Sequence, residues 1–194
     1  MDDEELLEGG NASEAVVRVG ATVRKPWAPS TPHVAAFMTA LADAGIDMPR
    51  HFGRDDKGRQ VIEFVPGLLA MHSARMTPAE LARVGGMVRA IHDASSTYEP
   101  SSSAVWDTAI AAPGADLVCH NDLAPWNLIT GDRWVFIDWD AAAPSTRLWT
   151  SLTPRTPSHC PTRRSNPTRQ PTGCASSSMG MGRTGHSAIS CRRR

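Results

Sequence analysis

No apolar run in this 194-residue chain approaches the ~20 residues that a membrane-crossing helix needs, so no spanning segment is expected. The N-terminus, MDDEELLEGG, has neither the basic residues nor the apolar stretch of a secretory signal, and a cytoplasmic location follows. Cysteine is sparse. Cys119, Cys160, Cys174 and Cys191 form no CxxC pair, which argues against a zinc ribbon and against a disulfide scaffold. There is no glycine-rich GxGxxG loop, and Gly9-Gly10 is the nearest substitute. Acidic residues stop at Asp140. Beyond residue 150 the chain has no Val, Phe, Trp, Tyr, Lys, Asp or Glu.

That last absence divides the chain. Residues 1–150 hold 12 basic and 20 acidic side chains, a balance of −8, whereas 151–194 hold eight Arg and no acid, +8. The overall zero therefore hides two kinds of sequence. The first is patterned as a globular fold: 41% of the whole chain is hydrophobic and 21% charged, typical of a packed domain. The second has no apolar periodicity, is rich in Ser, Thr, Pro and Arg, and is expected to be disordered.

Local signals order the first part. AVVRV and ATVRK flank Gly20 and read as a β-hairpin. Pro26, Pro29 and Pro32 break the chain and Thr31 is positioned to cap a helix, in which Val34, Phe37, Met38 and Leu41 recur at helical spacing until Gly45. QVIEFV, residues 60–65, reads as a buried strand ended by Pro66-Gly67. Thr77, Pro78 and Glu80 start a second helix, which Leu81, Val84, Val88 and Ile91 carry to about His92. A Ser-rich loop, a short helix over Trp106–Ala112, and strands at 117–119 and 134–137 complete the pattern. The fold class is α+β in two lobes, with residues 1–67 a β-rich N-terminal lobe, 68–149 a partial C-terminal lobe and 150–194 a tail.

The last two strands enclose VCHNDLAPWNLITGDRWVFIDWD, residues 118–140. His120, Asp122 and Asn127 have the spacing HxDxxxxN, and Asp138 follows an apolar strand eleven residues later. A polar turn between strands would account for Asn and Asp alone. Phosphoryl transfer accounts for the whole set. It needs a carboxylate to take the proton of an attacking hydroxyl, and oxygen ligands for the Mg²⁺ that offsets phosphate charge. Asp122 suits the first role, and Asn127 and Asp138 suit the second. His120 reads as a group that orients the loop backbone.

HNDLAPWN followed by FIDWD resembles the aminoglycoside phosphotransferase family, kinase-like enzymes that phosphorylate small molecules. The likeness covers about residues 6–149 and is most specific in this motif. It implies a small-molecule hydroxyl acceptor, ATP or GTP with Mg²⁺ as cofactors, and neither a specific nucleic-acid partner nor a membrane. It also implies Asp122 as base and Asn127 and Asp138 as metal ligands, with Trp139 packing and Asp140 structural. AVVRVGATVRKP resembles the family's second and third strands, which makes Arg24, or in the other register Lys25, the phosphate-pairing cation. Gly9 and Gly10 would approach the phosphates. FVPG resembles the hinge, where the backbone of Glu63 and Val65 would meet the nucleotide base and the Glu63 side chain is incidental. His92 is expected to be structural, and Cys119 a buried small apolar residue. The helix after the hairpin carries no Glu to pair with the cation, a departure from the family.

The resemblance stops at Arg147-Leu148-Trp149, where the family continues with Asp-Leu-Ala-Tyr and this chain reads Thr-Ser-Leu-Thr. The codons GAC-CTC-GCT-TAC, stripped of their first base, begin ACC-TCG-CTT and encode the latter string. A frameshift at that point is therefore expected, leaving a kinase-like lobe incomplete and its transfer activity weak. The rival functions are a noncatalytic Mg-nucleotide binder, a nucleic-acid binder driven by the basic tail, and a metal-dependent hydrolase using Asp122 as nucleophile. Sequencing the gene across the Trp149 codon should reveal the Asp-Leu-Ala-Tyr continuation one base out of frame. A gene with no such continuation overturns the frameshift.

Overall fold

The computed structural model describes residues 3–7, 16–108 and 111–152, with side chains to residue 149. All of them belong to one unit, Met1–Cys160. Gly9 and Gly10, and the tail from residue 153, lie outside the described residues.

Five short strands form an antiparallel sheet: β1 (Glu4–Leu6), β2 (Val17–Val19), β3 (Thr22–Lys25), β4 (His51–Arg54) and β5 (Gln60–Glu63), in the order β1-β2-β3-β5-β4. The β2–β3 hairpin forms where Gly20 signals it. Val19 pairs with Thr22, so Gly20 and Ala21 make a two-residue turn, and Gly20 takes φ 58 at its first position. This pairing fixes the facing of every residue in β3. Lys25 stands opposite Gln60 and Arg24 opposite Val61, so Lys25 and Gln60 share one face while Arg24 is on the other.

Helix α1 (Thr31–Asp43) begins two residues earlier than the apolar spacing indicates. Ser30, not Thr31, is its N-cap and makes no side-chain capping bond, while Thr31 Oγ1 accepts from the Ala28 N–H. Val34, Phe37, Met38 and Leu41 are buried along one stripe, as their period requires. Helix α2 (Pro78–Ser95) has the reciprocal capping box of Thr77 and Glu80 and runs three residues past His92. Leu81, at its start, is 57% exposed, so the helical stripe is covered only toward its C-terminal end. The helix expected over Trp106–Ala112 is not found among the described residues of that stretch.

The remaining strands are β6 (Leu68–Leu69), β7 (Leu117–Cys119), β8 (Leu128–Thr130), β9 (Val135–Phe136) and β10 (Ala143–Ser145). They form a three-stranded sheet β6-β8-β9 and a pair β10-β7. A short helix, α3 (Arg147–Leu152), follows. The main core joins the α1 stripe to Ile91 of α2, Val118 of β7, Leu128 of β8, Phe136 of β9 and Trp139. These strands carry the polar stretch at their ends, so the core is its floor.

Two contacts tie the sheets together. Arg133, in the β8–β9 turn, donates to both Asp47 oxygens, to the Met48 carbonyl and to Glu63 Oε1. Those carboxylates hold its guanidinium more firmly protonated than usual, against the opposing effect of burial. Gly67 lies against β8 at φ 150. A Cβ there would come within 2.4 Å of Ile129 Cγ2 and 2.7 Å of the Thr130 carbonyl. Gly67→Ala should therefore destabilise the fold by about 2–3 kcal/mol, read from urea unfolding, because backbone cannot retreat as a side-chain tip can. An unchanged midpoint would show that this approach is not constrained.

Candidate active site

The site begins with the parity of two strands. β7 ends at Cys119, fully buried, and delivers His120 with no exposed surface. The ring lies against Trp139, centroids 4.4 Å apart. Its Nδ1 accepts from the Asp122 N–H at 3.2 Å, which assigns the ring proton to Nε2, and Nε2 donates to the Ile137 carbonyl at 3.0 Å. One imidazole thus pins both segments of the motif, the loop carrying Asp122 and the turn carrying Asp138. Burial pushes its pKa below the ordinary imidazole value, outweighing the carbonyl bond and the Asp138 and Asp122 charges, so the ring is neutral.

Two non-glycine residues adopt left-handed backbone, Asn121 and Asp138, both at φ 62. Asn121 holds its conformation by donating from Nδ2 to the carbonyls of Ala141 and Ala143. Asp138 sits between strand β9 and a 3-10 turn at Trp139–Ala141. Such backbone costs on the order of 1 kcal/mol and persists where the surroundings impose it.

Pro125–Asn127 form another 3-10 turn, leading into β8. Leu128 pairs with Phe136, and one step further the Ile137 N–H donates to the Asn127 carbonyl at 2.8 Å. Asn127 and Asp138 therefore stand at the same end of the β8–β9 hairpin. Asn127 is buried, and its Nδ2 donates to Asp122 Oδ2 at 2.8 Å and to the Asp122 carbonyl at 2.9 Å. Two acceptors on that side require the NH₂ there and turn the amide oxygen the other way. Asp122 Oδ2 also receives Trp126 Nε1 at 3.4 Å. Asp122 Oδ1 is buried without a hydrogen-bond partner, an uncommon state for a carboxylate oxygen.

The sheet supplies the cation. Lys25 Nζ lies 2.5 Å from Asp138 Oδ1 and 2.5 Å from Asp140 Oδ2. Burial opposes its charge most strongly, but the carboxylates of Asp140 and Asp138 prevail and hold its pKa above the usual lysine value. Gln60, its cross-strand neighbour, donates to Asp140 Oδ1 at 3.2 Å and to the Pro26 carbonyl at 3.1 Å. Of the two candidate cations, Lys25 reaches the motif. Arg24 points to the opposite face, where it bonds Thr22 Oγ1 and lies 3.4 Å from Asp55.

At Glu63 the side chain has a role that the hinge expectation did not include. Its N–H is taken by the Arg50 carbonyl, and its side chain, far from incidental, accepts from Arg133 and from the Arg50 N–H. Val65 is buried with Ile129 and Val135. His92 is buried on α2, and burial together with the Arg147 charge lowers its pKa. The role of Gln60 was not visible in the sequence. A lone Gln at the start of a strand carries no signal of its own.

No group of three or more His, Cys, Asp or Glu among the described residues could cage a metal ion. Asn127 and Asp138 carry the kind of oxygen donors that a hard cation takes.

No protein-family model matches the chain. Over 151 residues it is 26% identical to the trifolitoxin immunity protein of Rhizobium leguminosarum bv. trifolii, covering 74% of this chain and 58% of that protein. Among solved structures, a choline/ethanolamine kinase family protein from Mesorhizobium loti aligns with a TM-score of 0.41 and 18% identity, over 76% of this chain and 61% of that one. The chain thus spans about three fifths of the length of each. Among the described residues no helix is long and apolar enough to cross a membrane.

The buried imidazoles have a consequence for stability. His51, His92 and His120 all have folded-state pKa values below the ordinary one, burial being the largest cause in each. The unfolded chain then binds more protons than the native state as pH drops below ~6.5. Stability should be full above that pH and fall progressively as pH is lowered through the folded-state values. Urea midpoints at pH 7.5 and 5.5 test this, and His92→Gln should flatten the dependence. Equal midpoints would mean the rings are not buried neutral.

Proposed function

We propose that the chain carries the nucleotide- and metal-binding chemistry of a small-molecule kinase of the aminoglycoside phosphotransferase kind. One observation carries the reading. A sheet lysine meets the Asp of FIDWD across 113 positions of sequence, and one histidine joins that Asp's turn to the loop of HNDLAPWN. A turn made polar only for solubility needs neither contact.

In this reading Lys25 pairs with the phosphates of ATP or GTP, and Asn127 Oδ1 and the Asp138 carboxylate hold Mg²⁺. When bound, the metal offsets the charge of the phosphates and of the group in flight. Asp122 faces the acceptor hydroxyl and takes its proton. The Asn127 amide, donating to Asp122 Oδ2, keeps that carboxylate oriented. The sheet with residues up to 67 corresponds to the nucleotide lobe, and 68–149 to part of the lobe that carries the catalytic loop. Val65 remains the backbone candidate for the nucleotide base.

A second reading, Mg-nucleotide binding without transfer, is favoured by the exposure of Leu68, Met71, Leu81 and Leu148. No acceptor-selecting group is evident among the described residues. Small alcohols and aminoglycosides are the acceptors to assay, and the likeness to a trifolitoxin immunity protein adds trifolitoxin.

Nucleotide binding and transfer separate the two readings. Asp122→Asn should lower phosphate transfer about 10²–10⁴-fold while calorimetry shows Mg·ATP binding nearly unchanged. Asp138→Asn should abolish the Mg²⁺ dependence of that binding. Binding without transfer in the parent chain selects the second reading, and no binding at all removes both.

A further inference from the structure

We infer that Asp140 is a positioning residue: it is the carboxylate that retains Lys25, replacing the helix-borne Glu that this chain lacks. The inference rests on the kinase reading for its purpose and on geometry for its substance.

Helix α1 has no Glu, and its single acid, Asp43, is the last residue, facing solvent. The ammonium of Lys25 must still be held in place. It meets two carboxylates at equal distance, Asp138 Oδ1 and Asp140 Oδ2, both 2.5 Å away. They are not equivalent. Asp138 is the residue assigned to the metal, and a carboxylate oxygen engaged with a divalent cation is a weaker partner for an ammonium. Asp140 has its other oxygen anchored by Gln60, a buried side chain that also grips the Pro26 carbonyl, next to Lys25 itself. Lys25, Pro26, Gln60 and Asp140 thus close a ring of contacts that does not include Asp138. The consequence is a division of labour within FIDWD: Asp138 is free to pass from Lys25 to the metal, and Asp140 keeps the lysine aimed while it does so. Gln60 sets the aim, because it stands opposite Lys25 in the β3–β5 ladder and cannot shift without breaking the register.

The sequence offers a clean measurement. Lys25 and Lys57 are its only lysines, and Lys57 is exposed. Acylation of the nucleotide-free chain by a succinimidyl ester, followed by peptide mass spectrometry, gives the ratio of Lys25 to Lys57 labelling without any ligand. Asp140→Asn should raise that ratio about tenfold, the change expected when the loss of one charge-assisted contact makes release of the ammonium toward the ester easier. Asp138→Asn should raise it by no more than about threefold, since the ring of contacts survives. Asp140→Glu, which keeps the charge, should label like the parent, and it covers the case in which the Asn variant does not fold. The inference is overturned if Asp140→Asn labels like the parent, if Asp138→Asn exposes Lys25 more than Asp140→Asn does, or if Asp140→Glu labels as fast as Asp140→Asn. Mg·ATP calorimetry on the same variants reads separately. Absent binding in the parent would defeat the kinase reading and leave the labelling result standing.

Discussion

Everything in the site depends on a buried ammonium shared by two carboxylates. Lys25 belongs to an antiparallel sheet near the start of the chain, and Asp138 and Asp140 belong to a turn 113 and 115 residues later. An amine so placed holds its proton less firmly if it stands alone, because surroundings poor in water penalise charge. The two acids prevent that, and in return the sheet can dock against the turn only in the register that brings Lys25 to them. A polar contact of this kind fixes one arrangement among the many that apolar burial alone would accept.

The turn is able to present both acids because of His120 and the left-handed residues. An alternating strand would send 138 and 140 to the same face but extend them about 7 Å apart. Left-handed Asp138 followed by a 3-10 turn folds them back so that one ammonium touches both. That backbone is held by His120 Nε2 on the carbonyl just before it and by Asn121 on the carbonyls just after. The imidazole is effective as a strut because it is neutral. It has one donor and one acceptor, each used, and no charge to be solvated in the core.

Much of this was legible in the sequence, and the parts that were not have physical reasons. The cluster of His120, Asp122, Asn127 and Asp138 was visible because its residues are close together in the chain and flanked by apolar strands. Both long helices showed their 3.6-residue period. The choice between Arg24 and Lys25 was not visible, since it turns on whether the hairpin loop has one residue or two, and shifting by one exchanges the faces. Strands β4, β6, β8 and β10 have two to four residues each and too little alternation to stand out. The role of the Glu63 side chain was not visible for another reason. Its partner Arg133 is 70 residues away in a turn, and nothing local to either residue announces the pair.

The charge of the site bears on what can enter it. Asp138 and Asp140 face one another across a single lysine, so these three side chains sum to −1 when all are ionised. Such a cluster repels a bare nucleotide and attracts a divalent cation. At an effective dielectric near 20, a unit charge ~4 Å from another is worth about 4 kcal/mol, so an unbalanced negative charge bears on the sign of the ligand. Under the proposed kinase reading, a nucleotide already carrying Mg²⁺ would suit the site better than a free one, since the acids would draw the cation and Lys25 the phosphates. The acids that hold the lysine in the ligand-free chain would then be the same charges that favour a metal-bound nucleotide over a free one.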